Sequence, residues 1–156
     1  MNALLKFAAT LLFGALLALP ASADDSADAG AVKHLMMATF DKPEAPLTVE
    51  PVIVYEDIAV AGWAQGEMGG RALLRKKDGA WVLTLCSGDA LKEAAGLKTF
   101  GLSAAAADAI AAEVVAAEAK LDPALVAKFS TFDGVVMMDG SGQHPPAGHG
   151  DAQHKG

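Results

Sequence analysis

Cys86 is the only cysteine in a chain of 156 residues, and it stands where the apolar run LTLC gives way to Ser87, Gly88 and Asp89. A thiol between a strand and a helix can act as a nucleophile, ligate a metal or simply pack. At a helix N-terminus, backbone N–H groups and the helix dipole favour the thiolate. A thiol enzyme also needs a base, and His34 is the only histidine outside the C-terminal segment, with nothing in the sequence placing it near Cys86. The chain lacks G-x-S-x-G, H-E-x-x-H and C-x-x-C, the common signatures of hydrolases, zinc proteases and dithiol redox proteins.

The remaining chemistry-bearing residues are metal-ligating types. Besides Met1 there are Met36, Met37, Met68, Met137 and Met138, and the C-terminal segment carries His144, His149 and His154 at five-residue intervals. Thiolate and thioether suit Cu(I), whereas imidazole suits Cu(II) and zinc, so copper is the metal that would use both sets. Against this, paired methionines such as Met36-Met37 on a helix also serve as core filling. The stretch GEMGGR has the glycines of a phosphate loop. It lacks the Lys-Ser/Thr pair and joins two expected strands, so a glycine-rich hairpin loop over 66–70 is expected instead.

These residues need a frame, and the ends of the chain limit what it can be. Residues 1–23 read as a secretory signal peptide: Lys6, an apolar core, Pro20, then the small-residue site Ala21-Ser22-Ala23. The apolar run is short for a bilayer span, which needs about 20 residues, so no membrane span is expected after cleavage. Export favours disulfides, yet one cysteine cannot form one within the chain. The net charge is −7 and becomes one unit more negative without Lys6, which disfavours nucleic acid and anionic membranes as partners. Residues 140–156 are rich in glycine, proline and histidine without a large apolar residue, and are expected to form a disordered tail. Residues 24–139 are then one domain.

Within that domain the pattern predicts an α+β fold. A short helix is expected over 31–40, ended by Asp41-Lys42-Pro43. Strands are expected over 48–55, 58–65, 71–76 and 80–86, with Asp78-Gly79 marking a tight hairpin and Pro51 an edge strand or bulge. Alternation in the last strand places Trp81, Leu83 and Leu85 on one face and Val82, Thr84 and Cys86 on the other. A helix is expected from Ser87 or Asp89 to Gly96, a longer alanine-rich one from Ser103 to about Leu121, and a third after Asp122-Pro123. A short strand over 135–138 closes the domain. This order of an N-terminal helix, an antiparallel meander and C-terminal helices resembles cystatin-like and NTF2-like arrangements.

The block GWAQGEMGGRALLRKKDGAWVLTLCSGDAL, residues 62–91, resembles the core motif of small proteobacterial periplasmic proteins called copper uptake system-associated proteins. The wider layout is similar too: a signal peptide, a Val-Glu-Pro-Val strand at 49–52, an alanine-rich helix and a His/Pro/Gly tail. The likeness spans most of the chain after the leader. It implies a periplasmic accessory protein that works with copper ions near an outer-membrane copper receptor or a periplasmic copper protein. The family has no defined reaction, so the resemblance assigns no site residue.

Taken together, the expected function is non-enzymatic copper binding or delivery in the periplasm, with copper as the bound ion. The candidate ligands are His144, His149, His154, Cys86, Met36, Met37 and His34, and no catalytic residue is expected. A metal-free protein-interaction module is the alternative, and a thiol-dependent enzyme a more remote one.

Overall fold

The computed structural model describes residues 23–138, with side chains from residue 26 onward. The leader (1–23, apart from Ala23) and the tail over 140–156 lie outside the described residues. The α+β class is as expected. The first helix, α1 (Ala23–Phe40), is followed by five strands and three more helices: β1 (Leu47–Tyr55), β2 (Ile58–Gln65), β3 (Met68–Lys77), β4 (Ala80–Ser87), α2 (Ala94–Thr99), α3 (Ala104–Glu118), α4 (Pro123–Phe129) and β5 (Val135–Met137). A single 3₁₀ turn, Asp89–Leu91, links β4 to α2. The strands form one sheet in the order β1-β2-β3-β4-β5, with every neighbour antiparallel.

Helices cover both faces of this sheet. On one face, Val32 and Met36 of α1 pack with Val49, Ala59, Ala61, Leu74, Trp81, Leu83 and Cys86. On the other, Leu97, Ile110 and Val114 from α2 and α3 pack with Val60, Leu73 and Leu85. Strands β2 and β3 are therefore buried on both faces over Ala59–Gly62 and Gly69–Leu74, and their simple alternation of polar and apolar residues is lost there. Among the described residues, no helix is long and apolar enough to cross a membrane.

Two one-residue irregularities set which side chains face α1. In β1 the register shifts between Val49 and Val52, at the cis Glu50–Pro51 bond, so both valines face the α1 layer. Pro51 thus lies both on an edge strand and in a bulge. In β4, Leu85 pairs with Leu73 while Leu83 pairs with Leu74, leaving Thr84 as an extra residue. A bulge of this kind reverses the facing of the side chains beyond it. Leu85 faces α2 and α3, and Cys86 rejoins Trp81 and Leu83 beneath α1. The expected sharing of faces in this strand is corrected on that point.

Three other boundaries differ from expectation. Helix α1 reaches back to Ala23, and its early turns are tied to the sheet by Asp28, which accepts hydrogen bonds from Lys76 Nζ at 2.8 and 2.9 Å and from Trp81 Nε1 at 3.0 Å. Gly69 and Gly70 belong to β3, so the glycine loop shrinks to Gly66-Glu67. Gly96 lies inside α2, where a Cβ would come within 2.0 Å of the Ala90 carbonyl oxygen, so close packing rather than helix termination explains this glycine. Two of the expected caps are present, with the Ser103 side chain accepting from Ala106 N and that of Asp122 from Ala124 N, whereas neither Ser87 nor Asp89 caps a helix.

Candidate functional site

Three of the chain's sulfur atoms belong to residues that line one cavity between α1 and the sheet. Its volume is about 290 Å³. Helix α1 contributes Met36 and Phe40, β1 contributes Leu47, and β2 contributes Trp63 and Gln65. Cys86 of β4 lies on the sheet side, and Phe132, Val136 and Met138 complete the lining. The described chain ends at Met138, in this lining.

Local backbone features hold the space open. Trp63 pairs with Gly70 across the β2–β3 ladder, and a Cβ on Gly70 would sit 2.9 Å from Phe132 Cβ and 3.1 Å from Trp63 Cζ2. The missing side chain lets Trp63 and Phe132 meet edge to face, with ring centroids 5.7 Å apart. The segment carrying Phe132 is fixed by Thr131 Oγ1, which accepts from Gly69 N at 3.1 Å, and by Ser87 Oγ, which donates to the Gly134 carbonyl at 2.8 Å. Gln65 spends its amide on the α1–β1 connection, donating from Nε2 to the carbonyls of Phe40 at 2.9 Å and Ala45 at 2.6 Å.

The thiol of Cys86 is buried, with the residue 4% exposed. Burial raises its pKa from 9.0 to about 12, because the surroundings do not solvate a thiolate. Cys86 is therefore a packed thiol at the end of β4, not one activated at a helix N-terminus. Beyond β4 the chain forms a single 3₁₀ turn before α2 begins at Ala94, in place of the helix expected from Ser87 or Asp89, and desolvation pushes the thiol pKa up. Cys86, Met36 and Met138 line one apolar cavity, and a thiolate with two thioethers is a soft donor type that matches Cu(I) and mismatches hard cations.

The structure sorts the expected ligands. Cys86 and Met36 line the cavity together. Met37 is partly buried and packs against the α1-side core without lining it. His34 is exposed on α1 and does not line it either. His144, His149 and His154 lie outside the described residues. Among the described residues, no three His, Cys, Asp or Glu side chains converge as a metal-binding group. Met138, which the sequence offered both as a soft ligand type and as the end of a short strand, joins the cavity because it continues the β5–β4 pairing: its amide donates to the Thr84 carbonyl at 2.9 Å.

A second polar centre was also missed. Arg71 in β3 is wholly buried, donating from Nε to Glu118 Oε1 at 2.6 Å and from Nη2 to Oε2 at 2.7 Å. Its Nη1 donates to Asp89 Oδ1 at 3.2 Å, and its guanidinium lies 5.6 Å from the Phe129 ring centroid. Asp89 also accepts from Ser130 Oγ at 2.6 Å and pairs with Lys92 at 3.1 Å. The Ser130 hydrogen bond, then Lys92 and Arg71, hold the Asp89 carboxyl below its ordinary pKa. An arginine between Gly69-Gly70 and the apolar Ala72-Leu73-Leu74 of one strand was the available signal, since such a residue must be paired when buried. This centre ties β3, the 3₁₀ turn and α3 together.

No known protein family, no curated protein and no solved structure matches this chain.

Proposed function

We propose that this protein is a non-enzymatic copper-handling accessory of the bacterial periplasm, taking Cu(I) at the cavity sulfurs of Met36, Cys86 and Met138. The observation that carries the reading is the meeting of these three residues, from α1, from β4 and from just beyond β5, at one apolar cavity. Apolar surroundings and soft donors favour the monovalent ion, whose low charge is less costly to desolvate than a divalent one. The tail histidines His144, His149 and His154 serve as collectors of Cu(II), the first of them only six positions after Met138. The family resemblance over 62–91 supports the copper context, with an outer-membrane copper receptor or a periplasmic copper protein as the exchange partner. A thiol held protonated near neutral pH is poorly suited to nucleophilic catalysis, and as a Cu(I) ligand Cys86 gives up its proton to solvent on binding, so Cu(I) affinity is expected to rise with pH.

The test is an anaerobic Cu(I) titration against a chromogenic chelator, using the chain from Asp24 onward, the variants Met36→Leu, Cys86→Ala and Met138→Leu, and a chain ending at Asp139. Each sulfur substitution should weaken Cu(I) binding at least about tenfold, as expected for loss of one ligand from a three-ligand site. Truncation should leave Cu(I) binding intact and remove Cu(II) binding. A triple sulfur variant that binds Cu(I) like the parent would exclude the cavity site. A second reading, a metal-free interaction module, is favoured by the outer edge of β5, where Val135 and Met137 are 47% and 53% exposed. It gains if neither ion binds to either chain.

A further inference from the structure

Two of the three proposed ligands are shut away from any exchange partner: Met36 is 1% and Cys86 4% exposed. A partner reaches them only if a wall of the cavity moves, and the walls are not equally secured. Helix α1 is fastened along its length. Val32 and Met36 are buried in the core, Asp28 accepts from Lys76 and Trp81 near the start, and Gln65 donates to the Phe40 and Ala45 carbonyls at the end. The central strands are packed on both faces. The remaining wall is β5 with Met138. This strand has three residues, lies at the edge of the sheet, and leaves Val135 and Met137 exposed. Its register sets Val136 opposite Cys86, so a single strand separates the thiol from the sheet edge.

The chain is firmly anchored just before this wall. Phe132 sits so close to β3 and the end of β4 that a Cβ on Gly70 would come within 2.9 Å of its Cβ, and one on Gly88 within 2.5 Å of its carbonyl oxygen. Gly134 then takes a φ of 73°, with open space where a Cβ would stand. Past the anchor, the chain is tied to the fold by the short β4 ladder, by Ser87 Oγ donating to the Gly134 carbonyl at 2.8 Å, and by the Met138 amide donating to the Thr84 carbonyl. Short edge segments with few buried side chains belong to the low-stability end of a fold.

We infer that residues 134–138 form a strap that swings out about Gly134 and is the entrance through which Cu(I) reaches and leaves the sulfur site. Opening makes β4 the edge of the sheet and uncovers Cys86. It also carries Met138 outward, so the first Cu–S bond forms at the surface and the others form as the strap closes. The ion stays Cu(I) throughout: bonds to the donor's ligands are replaced by bonds to sulfur, and the Cys86 proton passes to solvent. The entrance rests on the copper reading for its cargo, whereas the motion is measured without metal.

The motion is read by amide hydrogen exchange in the metal-free chain from Asp24 onward. The Met138 amide should be at least about a hundredfold less protected than amides of β2 and β3, and its rate should stay level in low urea, as for a local opening that exposes little surface. Ser87→Ala, which removes one tie, should speed that exchange about two- to twelvefold. Gly134→Ala, strained only while the strap is closed, should act in the same direction. For the entrance, Cu(I) is supplied anaerobically as its bis-bicinchoninate complex. Ser87→Ala should speed uptake, and release to excess bicinchoninate, by the factor seen in exchange, with affinity within about twofold of the parent. Asp28→Asn, which loosens α1 instead, should leave both rates within about twofold.

Met138 exchange as slow as that of β2 and β3 would overturn the strap. Faster exchange in Ser87→Ala without faster uptake would overturn its role as the entrance, as would uptake that quickens in Asp28→Asn and not in Ser87→Ala. A parent chain that binds no Cu(I) would overturn the copper reading and the entrance together, and the exchange result tells that outcome apart from a strap that never opens.

Discussion

Alkylation of Cys86 gives a direct measure of how the fold treats its only thiol. The reactive species is the thiolate, so the rate tracks the thiolate population. Moving the pKa from 9.0 to about 12 lowers that population near neutral pH by about a thousandfold. Restricted access adds to this, because the residue is only 4% exposed. Reaction through global unfolding contributes less. At a stability of about 5 kcal/mol the unfolded fraction is about 2 in 10,000, already below the roughly one part in a thousand set by burial. The assay is the rate of iodoacetamide labelling at about pH 7.5, native against guanidinium-unfolded, read by mass spectrometry. The native protein should react at least about a thousandfold more slowly, and its rate should climb about tenfold per pH unit with no plateau below about pH 10. A native rate within about tenfold of the unfolded one, or a plateau between about pH 7 and 8, would refute the account and revive the thiol-enzyme alternative.

Two further predictions concern stability. Glu118→Gln leaves Arg71 buried with its charge poorly compensated, so urea denaturation should show a loss of about 3–5 kcal/mol, while Arg71→Met combined with Glu118→Leu should recover much of it. The raised pKa of Cys86 also makes stability pH-dependent: above pH 9.0 the unfolded chain releases the thiol proton first, so the folded state loses ground until about pH 12. Chemical denaturation of wild type and Cys86→Ala across about pH 8–11 should therefore show their stability difference constant below about pH 9 and shifting by about 1.4 kcal/mol per unit above it, against the wild type.

Local chemistry made much of the fold legible in the sequence. The Asp78-Gly79 turn, with φ of 50° and 79°, the Ser103 cap and the Asp122-Pro123 start all lie where their residue types demand. Features that depend on partners distant in sequence were not legible. The polar early turns of α1 have no apolar stripe to announce them, and Asp28 anchors them to Lys76 and Trp81 on β3 and β4. Glu118 reads as the solvent side of an alanine-rich helix until Arg71 is placed beneath it. The cavity was half visible: Cys86 and Met36 stood out as soft donors, but alternation assigned Cys86 to the wrong layer of β4. Nothing local marks Thr84 as an extra residue, because a bulge is a property of the pairing with β3.

That extra residue has a consequence for the chemistry of the domain. The sheet separates two compartments, a sulfur-bearing hollow under α1 and a packed aliphatic layer under α2 and α3. Cys86 and Leu85 are adjacent in the chain, and the way β4 accommodates Thr84 decides which compartment each one enters. If Thr84 took a regular place opposite Leu73, every later side chain would change sides, sending Leu85 into the hollow and the thiol into the aliphatic layer. Deleting Thr84 would instead leave both where they are, because Leu83, Leu85 and Cys86 would then alternate regularly. The address of the thiol is therefore set by how β4 pairs with β3, and the sulfur site is specified by backbone register as much as by side-chain type.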